Sequence, residues 1–114
     1  MEIAHHALEL IEGPPDRIRD AIRQWLADTG FKVKSSPSDF YVRAERGSAM
    51  GVTDRQTERI MEVIIRGSGS LTAVSVYHHT GRIGPIVGAT FGGLLSDEVN
   101  ALWKFLRETP VTSR

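Results

Sequence analysis

Apolar and polar positions partly alternate through residues 3–12 (IAHHALELIE) and stop at Gly13-Pro14-Pro15, which predicts a strand followed by a break. The period then changes. Ile18, Ile22, Trp25 and Leu26 recur at helical spacing, with Ala21 on the same side and Arg19, Asp20 and Arg23 outside. Proline in the first turn, Asp16 at the positive end of the dipole and Gly30 as a left-handed cap frame a helix over 15–29. FKVKS then alternates as a short strand, Ser36-Pro37-Ser38-Asp39 turns, and FYVRAER alternates again. Residues 47–56 predict a longer loop. Residues 58–66 and 71–80 are two further strands, joined as a tight hairpin through Gly67-Ser68-Gly69-Ser70. Glycine and proline make 81–93 irregular or only briefly helical. Ser96 then caps a final helix that turns Val99, Leu102, Trp103 and Leu106 inward, carries Asp97 and Glu98 in its first turn and ends at Pro110.

The element order is β-α-β-β-β-β-α, a single α+β domain over 1–114. The helix after the first strand returns the chain, so strands one and two run the same way and the meander of strands two to five alternates. Strand five then runs opposite to strand one. Pairing them gives one antiparallel-rich sheet of order 1-5-4-3-2, with both helices covering one face. This topology resembles half of the TATA-binding-protein fold and a reduced helix-grip fold. No residue motif of either accompanies the element order, so no functional residue is carried over.

A hairpin centred on Ser68-Gly69 sets Ile65 opposite Thr72, Val63 opposite Val74 and Met61 opposite Val76. Setting Leu8 opposite Val76 and Leu10 opposite Val74 continues the same apolar face. The expected inward set is Leu8, Leu10, Phe40, Val42, Met61, Val63, Val74 and Val76. Ile11, Ile60, Ile64, Ala73 and Tyr77 fall on the outer face among Glu9, Glu62 and Ser75. That face is more apolar than full solvation requires, which points to self-association or a protein partner.

Composition narrows the function classes. Fourteen basic residues balance fourteen acidic ones, so the phosphate-driven binding of nucleic acid is not expected. There is no cysteine, which excludes disulfides, thiolate catalysis and cysteine-bound metal. No signal-peptide pattern opens the chain, and the weakly polar run from Ile83 to Leu95 is too short and glycine-rich to span a bilayer as an ordinary helix. A cytoplasmic protein is expected, and no motif asks for a cofactor.

All four histidines come as two adjacent pairs, and the register above sets His6 opposite His78 and His5 opposite His79. Opposed imidazoles can share a metal or a proton, although no carboxylate is fixed beside them and Arg59 lies close. Strand-end histidines bonded to backbone or water are the plainer expectation. Gly84, Gly88 and Gly92 recur at four-residue spacing in a segment that also holds Ile86, Val87 and Phe91. It reads as a connection tucked over the core; on a helix the glycines would instead make a smooth stripe for contact with another helix, a partner chain or a membrane. Alternatively, with Trp103, it closes a pocket for a small apolar ligand between sheet and terminal helix. Arg46-Gly47-Ser48-Ala49-Met50-Gly51 lacks the lysine of a nucleotide loop and reads as a plain loop. No Ser-His-Asp arrangement or carboxylate pair stands out. The leading functional expectation is a non-catalytic interaction module using the outer sheet face, as a homodimer or with a protein partner. A small apolar-ligand carrier comes second, and a histidine-dependent metal protein or enzyme third.

Overall fold

The computed structural model describes residues 4–36, 38–47, 58–80 and 85–108. They form β1 (Ala4–Glu12), α1 (Pro15–Asp28), β2 (Lys32–Lys34), β3 (Tyr41–Arg46), β4 (Arg59–Ser68), β5 (Leu71–Thr80) and α2 (Pro85–Glu108). One sheet holds all five strands in the order β1-β5-β4-β3-β2, each neighbouring pair antiparallel, as the element order predicts. The core lies between the helices and one face of this sheet. Ile18, Ile22 and Leu26 of α1 and Val99, Leu102 and Leu106 of α2 meet Val42, Ala44, Met61, Val63, Val74 and Val76 there. Trp103 is buried with them, whereas Trp25 is half-buried at the margin and stacks on Phe31 at 6.4 Å.

Local chemistry explains the ends of α1. Pro15 sits in the first turn, where its missing N–H leaves no gap. Gly30 takes φ 93°, and the Phe31 amide then donates to the Leu26 carbonyl at 2.9 Å, folding Phe31 back into the core. The β4–β5 turn falls on Gly69-Ser70, because the positive φ of 64° belongs to Gly69. This moves each pairing by two residues from expectation, giving Val63 opposite Val76 and Met61 opposite His78, and leaves every side chain on its expected face.

The structure departs from expectation in α2, in β1 and at Phe40. α2 is one continuous helix from Pro85, so the segment expected to be irregular is mostly helical and Ser96 is not a cap. Starting a helix is the expensive step, and the glycines add only about 1 kcal/mol each to extending it backwards. The side chains of Ile86, Val87 and Phe91 lie outside the described residues, as do most of the 47–56 loop and Pro110. Trp103 is part of the packed core.

The second departure concerns β1. It does lie beside β5, but Ala7 and not Leu8 faces Val76. A slip of one residue exchanges the two faces of a strand. Ile11 is therefore buried in the core rather than in the outer patch, while Leu8 and Leu10 are 61% and 51% exposed outside. Phe40 also misses the core. It precedes β3, and the Arg19 guanidinium lies 5.4 Å from its ring centre.

Candidate functional site

The register fixes a map of the outer face. One row across the sheet reads Leu8, Ser75, Ile64 and Tyr41, and the next reads His6, Tyr77, Glu62 and Arg43. Ser75 is small and sits between two large aliphatic neighbours, with Ala73 two residues along on the same face. The sheet surface is consequently dented there. The dent is a groove of about 520 Å³ lined chiefly by His6, Leu8, Tyr41, Glu62, Ile64, Ser75 and Tyr77. Leu8, Leu10 and Ile64, each at least half exposed, bring apolar surface to and around it.

A polar network borders the groove. The Tyr41 hydroxyl donates to Glu62 Oε1, and His79 Nε2 donates to Glu62 Oε2 at 2.6 Å. Arg43 Nη1 stands 3.8 Å from the same carboxylate. Burial pushes the Glu62 carboxyl up, but the Tyr41 and His79 hydrogen bonds and the nearby positive charge outweigh it and leave the group below the ordinary carboxylate range. The bond to Glu62, then burial, raise the Tyr41 phenol above its ordinary value. Tyr77 lies between two imidazoles, with ring centres 4.3 Å from both His6 and His79.

The histidine pairs do lie on adjacent strands and meet there, but not in the expected combination. His5 faces His78 across the strands, His6 faces Tyr77, and His79 faces Ala4. His5 and His78 share the inner face, while His6 and His79 share the outer one. The expected partners, His6 with His78 and His5 with His79, are thus replaced through the same one-residue slip. Among the described residues no three His, Asp or Glu side chains are grouped to hold a metal ion.

His78 belongs instead to a second polar assembly inside the molecule. Arg59 grips Glu98 with two bonds, Nε to Oε1 at 2.7 Å and Nη2 to Oε2 at 2.9 Å. His78 Nε2 is 2.9 Å from Glu98 Oε1, and its Nδ1 donates to the Ile60 carbonyl at 3.0 Å. Arg46 adds a looser contact at 3.5 Å. Burial pushes the Glu98 carboxyl up, and the bonds and charges of His78 and Arg59 more than reverse this, so it too lies below the ordinary range. A helix starting at Ser96 would put Glu98 in its first turn. With α2 starting at Pro85 it is mid-helix, three residues after Leu95 and four before Leu102, on the stripe that faces the sheet. This cluster joins helix to sheet.

No protein-family model and no curated protein sequence matches the chain. Solved structures share its fold over nearly the whole length. Protein MLL2253 from Mesorhizobium loti superimposes with a TM-score of 0.64 at 14% identity, covering 95% of this chain and 99% of that one. TTHA0849 from Thermus thermophilus gives 0.50 at 19% identity, covering 93% and 95%. At such identities the likeness concerns the fold alone. No helix among the described residues is long and apolar enough to cross a membrane.

Proposed function

We propose that this chain is a non-catalytic binding module that works through the outer face of its sheet, holding a small, uncharged, planar molecule in the groove over Ser75. The observation that carries the proposal is the groove itself. Its volume of about 520 Å³ suits a small organic molecule. Apolar walls from Leu8 and Ile64, the aromatic face of Tyr77 and a few polar atoms from His6, Ser75 and Tyr41 suit a flat ring bearing a hydrogen-bonding group. The ionised Glu62 disfavours an anion.

The same network argues against proton-transfer catalysis. A general acid or base works best when its pKa lies near the working pH. Here the phenol is raised and the carboxyl is lowered, so both move away from neutrality. Tyr41, Glu62 and His79 form a fixed wall. A partner expected to cover the outer face as a whole gives way, in this reading, to an occupant the size of the dent. The cytoplasmic setting is retained as part of the proposal, since a cysteine-free chain needs no oxidising compartment.

Ligand-observed NMR with phenol, indole and benzoate tests it. Phenol and indole should bind and shift the Tyr77 and Ser75 resonances, benzoate should bind more weakly, and Ser75→Leu should fill the dent and abolish both signals. Binding that survives Ser75→Leu, or no binding of either neutral probe, would sink the small-ligand reading. If Ile64→Glu then converts an associated species to a folded monomer, the face serves a protein contact instead.

A further inference from the structure

We infer that the edge of β1, which no other strand among the described residues covers, pairs with β1 of a second copy of this chain, joining the two sheets into one. The two edges of the sheet differ in how they are protected. β2 is three residues long and is Lys-Val-Lys, so it is guarded by brevity and by charge. β1 runs nine residues, AHHALELIE, with no lysine, arginine, proline or glycine. Proteins normally blunt a sheet edge by shortness, lysine, proline or bulges, because an unguarded edge recruits another strand. β2 combines two guards, while β1 is nine residues long and carries only two glutamates, Glu9 turned inward onto Arg107 and Glu12 at its end.

β1 is also held ready. It pairs with β5 in unbroken register from Ala4 to Glu12. Its inner face is secured by Ile11 and Ala7 against the core and by Glu9, whose carboxylate meets Arg107 of α2 at 2.7 Å. A strand fixed in this way presents its outward amides and carbonyls without first having to order itself.

The pairing is determined by geometry. In a strand, outward-pointing backbone groups come on every second residue, and an antiparallel ladder matches outward residues with outward residues. Two copies of one strand can therefore pair only about a residue, never between two. Full overlap puts Leu8 on the two-fold axis facing its counterpart. Ala4 then faces Glu12, His5 faces Ile11, His6 faces Leu10 and Ala7 faces Glu9. No like charges are opposed, and the exposed Leu8 and Leu10 of both copies merge into one outer stripe. A two-fold pairing uses both edges at once and closes, so it makes dimers and not fibres. The zero net charge gives no bulk repulsion between copies. The second copy extends the sheet beside the groove, where its Leu8 and Leu10 adjoin the Leu8 and His6 that line one side.

Sedimentation combined with residue-resolved hydrogen exchange tests it. The expected result is a dimer in which consecutive β1 amides from His5 to Ile11 are all protected, and in which every second one loses protection on dilution. Leu10→Lys, which gives β1 the guard that β2 has and leaves the groove lining alone, should raise the dissociation constant roughly tenfold or more. A monomer at all concentrations overturns the inference. So does a dimer in which alternate β1 amides exchange freely, since that signature belongs to sheets stacked face to face. Phenol binding by monomeric Leu10→Lys separates this outcome from failure of the ligand reading.

Discussion

Tyr41 and Glu62 show how much a single contact depends on partners that are remote in sequence. Each reads in isolation as an ordinary outward residue of an alternating strand, and that placement is right. What alternation cannot supply is the offset between β3 and β4, which sets Tyr41 beside Ile64 and brings its hydroxyl to the Glu62 carboxylate. The consequence is measurable. Tyr41 should ionise above the ordinary tyrosine range in a spectrophotometric titration, because the neighbouring carboxylate accepts its proton as a hydrogen bond. Tyr41→Phe should remove that high step, and Glu62→Gln should bring it down. A high step that persists in Tyr41→Phe would assign it to Tyr77 and break the network. Arg59, Glu98 and His78 were open to a closer reading. Arg59 and His78 lie two residues from Met61 and Val76, so parity turns both inward, and a buried arginine requires a carboxylate. The spacing of Glu98 from Leu95 and Leu102 offers one, once the helix is allowed to start early.

Among elements, the contrast is between β5 and β1. β5 was readable to its ends because threonine, valine and histidine alternate cleanly with outward residues and glycines mark the turn. β1 has apolar residues on both faces. Leu8 and Leu10 outweigh Ala7 and Ile11 in apolar bulk, so the pattern favours turning the leucines inward. Packing decides otherwise. α2 lies over the inner face of this edge strand, where Ala7 fits and where Glu9 can reach Arg107. The two registers predict opposite mutational costs. Ile11→Ala should destabilise by about 2–4 kcal/mol in urea unfolding, as a buried isoleucine does. Leu8→Ala, measured on dilute monomer, should fall within about 0.5 kcal/mol of the parent. The reverse ranking would restore the leucine-inward register.

For the whole molecule, strand order and the placement of both helices on one face were legible, since connection lengths and alternation leave few topologies. The shared response to acid was not. Glu98 inside and Glu62 outside are both held below the ordinary carboxylate range by donors on other elements. A carboxyl with a lower pKa folded than unfolded adds stability that is complete above the unfolded value and is lost as pH falls through the folded one. Stability from these two groups should therefore be level through neutral pH and decline in the acid range. Urea midpoints as a function of pH would show this, and Glu98→Gln should start lower and fall less steeply. An equal acid slope in that variant would mean that Glu98 carries no part of the linkage.

The grip of Arg59 on Glu98 has one more effect. A long helix with a greasy stripe can slide along a greasy sheet, because leucine and valine accept many neighbours at little difference in energy. A carboxylate and a guanidinium do not. Shifting α2 by one turn would carry Glu98 about 5.4 Å along its axis and leave two charges buried without each other. The pair acts as an index mark on a ruler, permitting one position of the helix out of several that the oily contacts would tolerate. The dent over Ser75, on the far side of the same sheet, inherits a backing whose position does not drift.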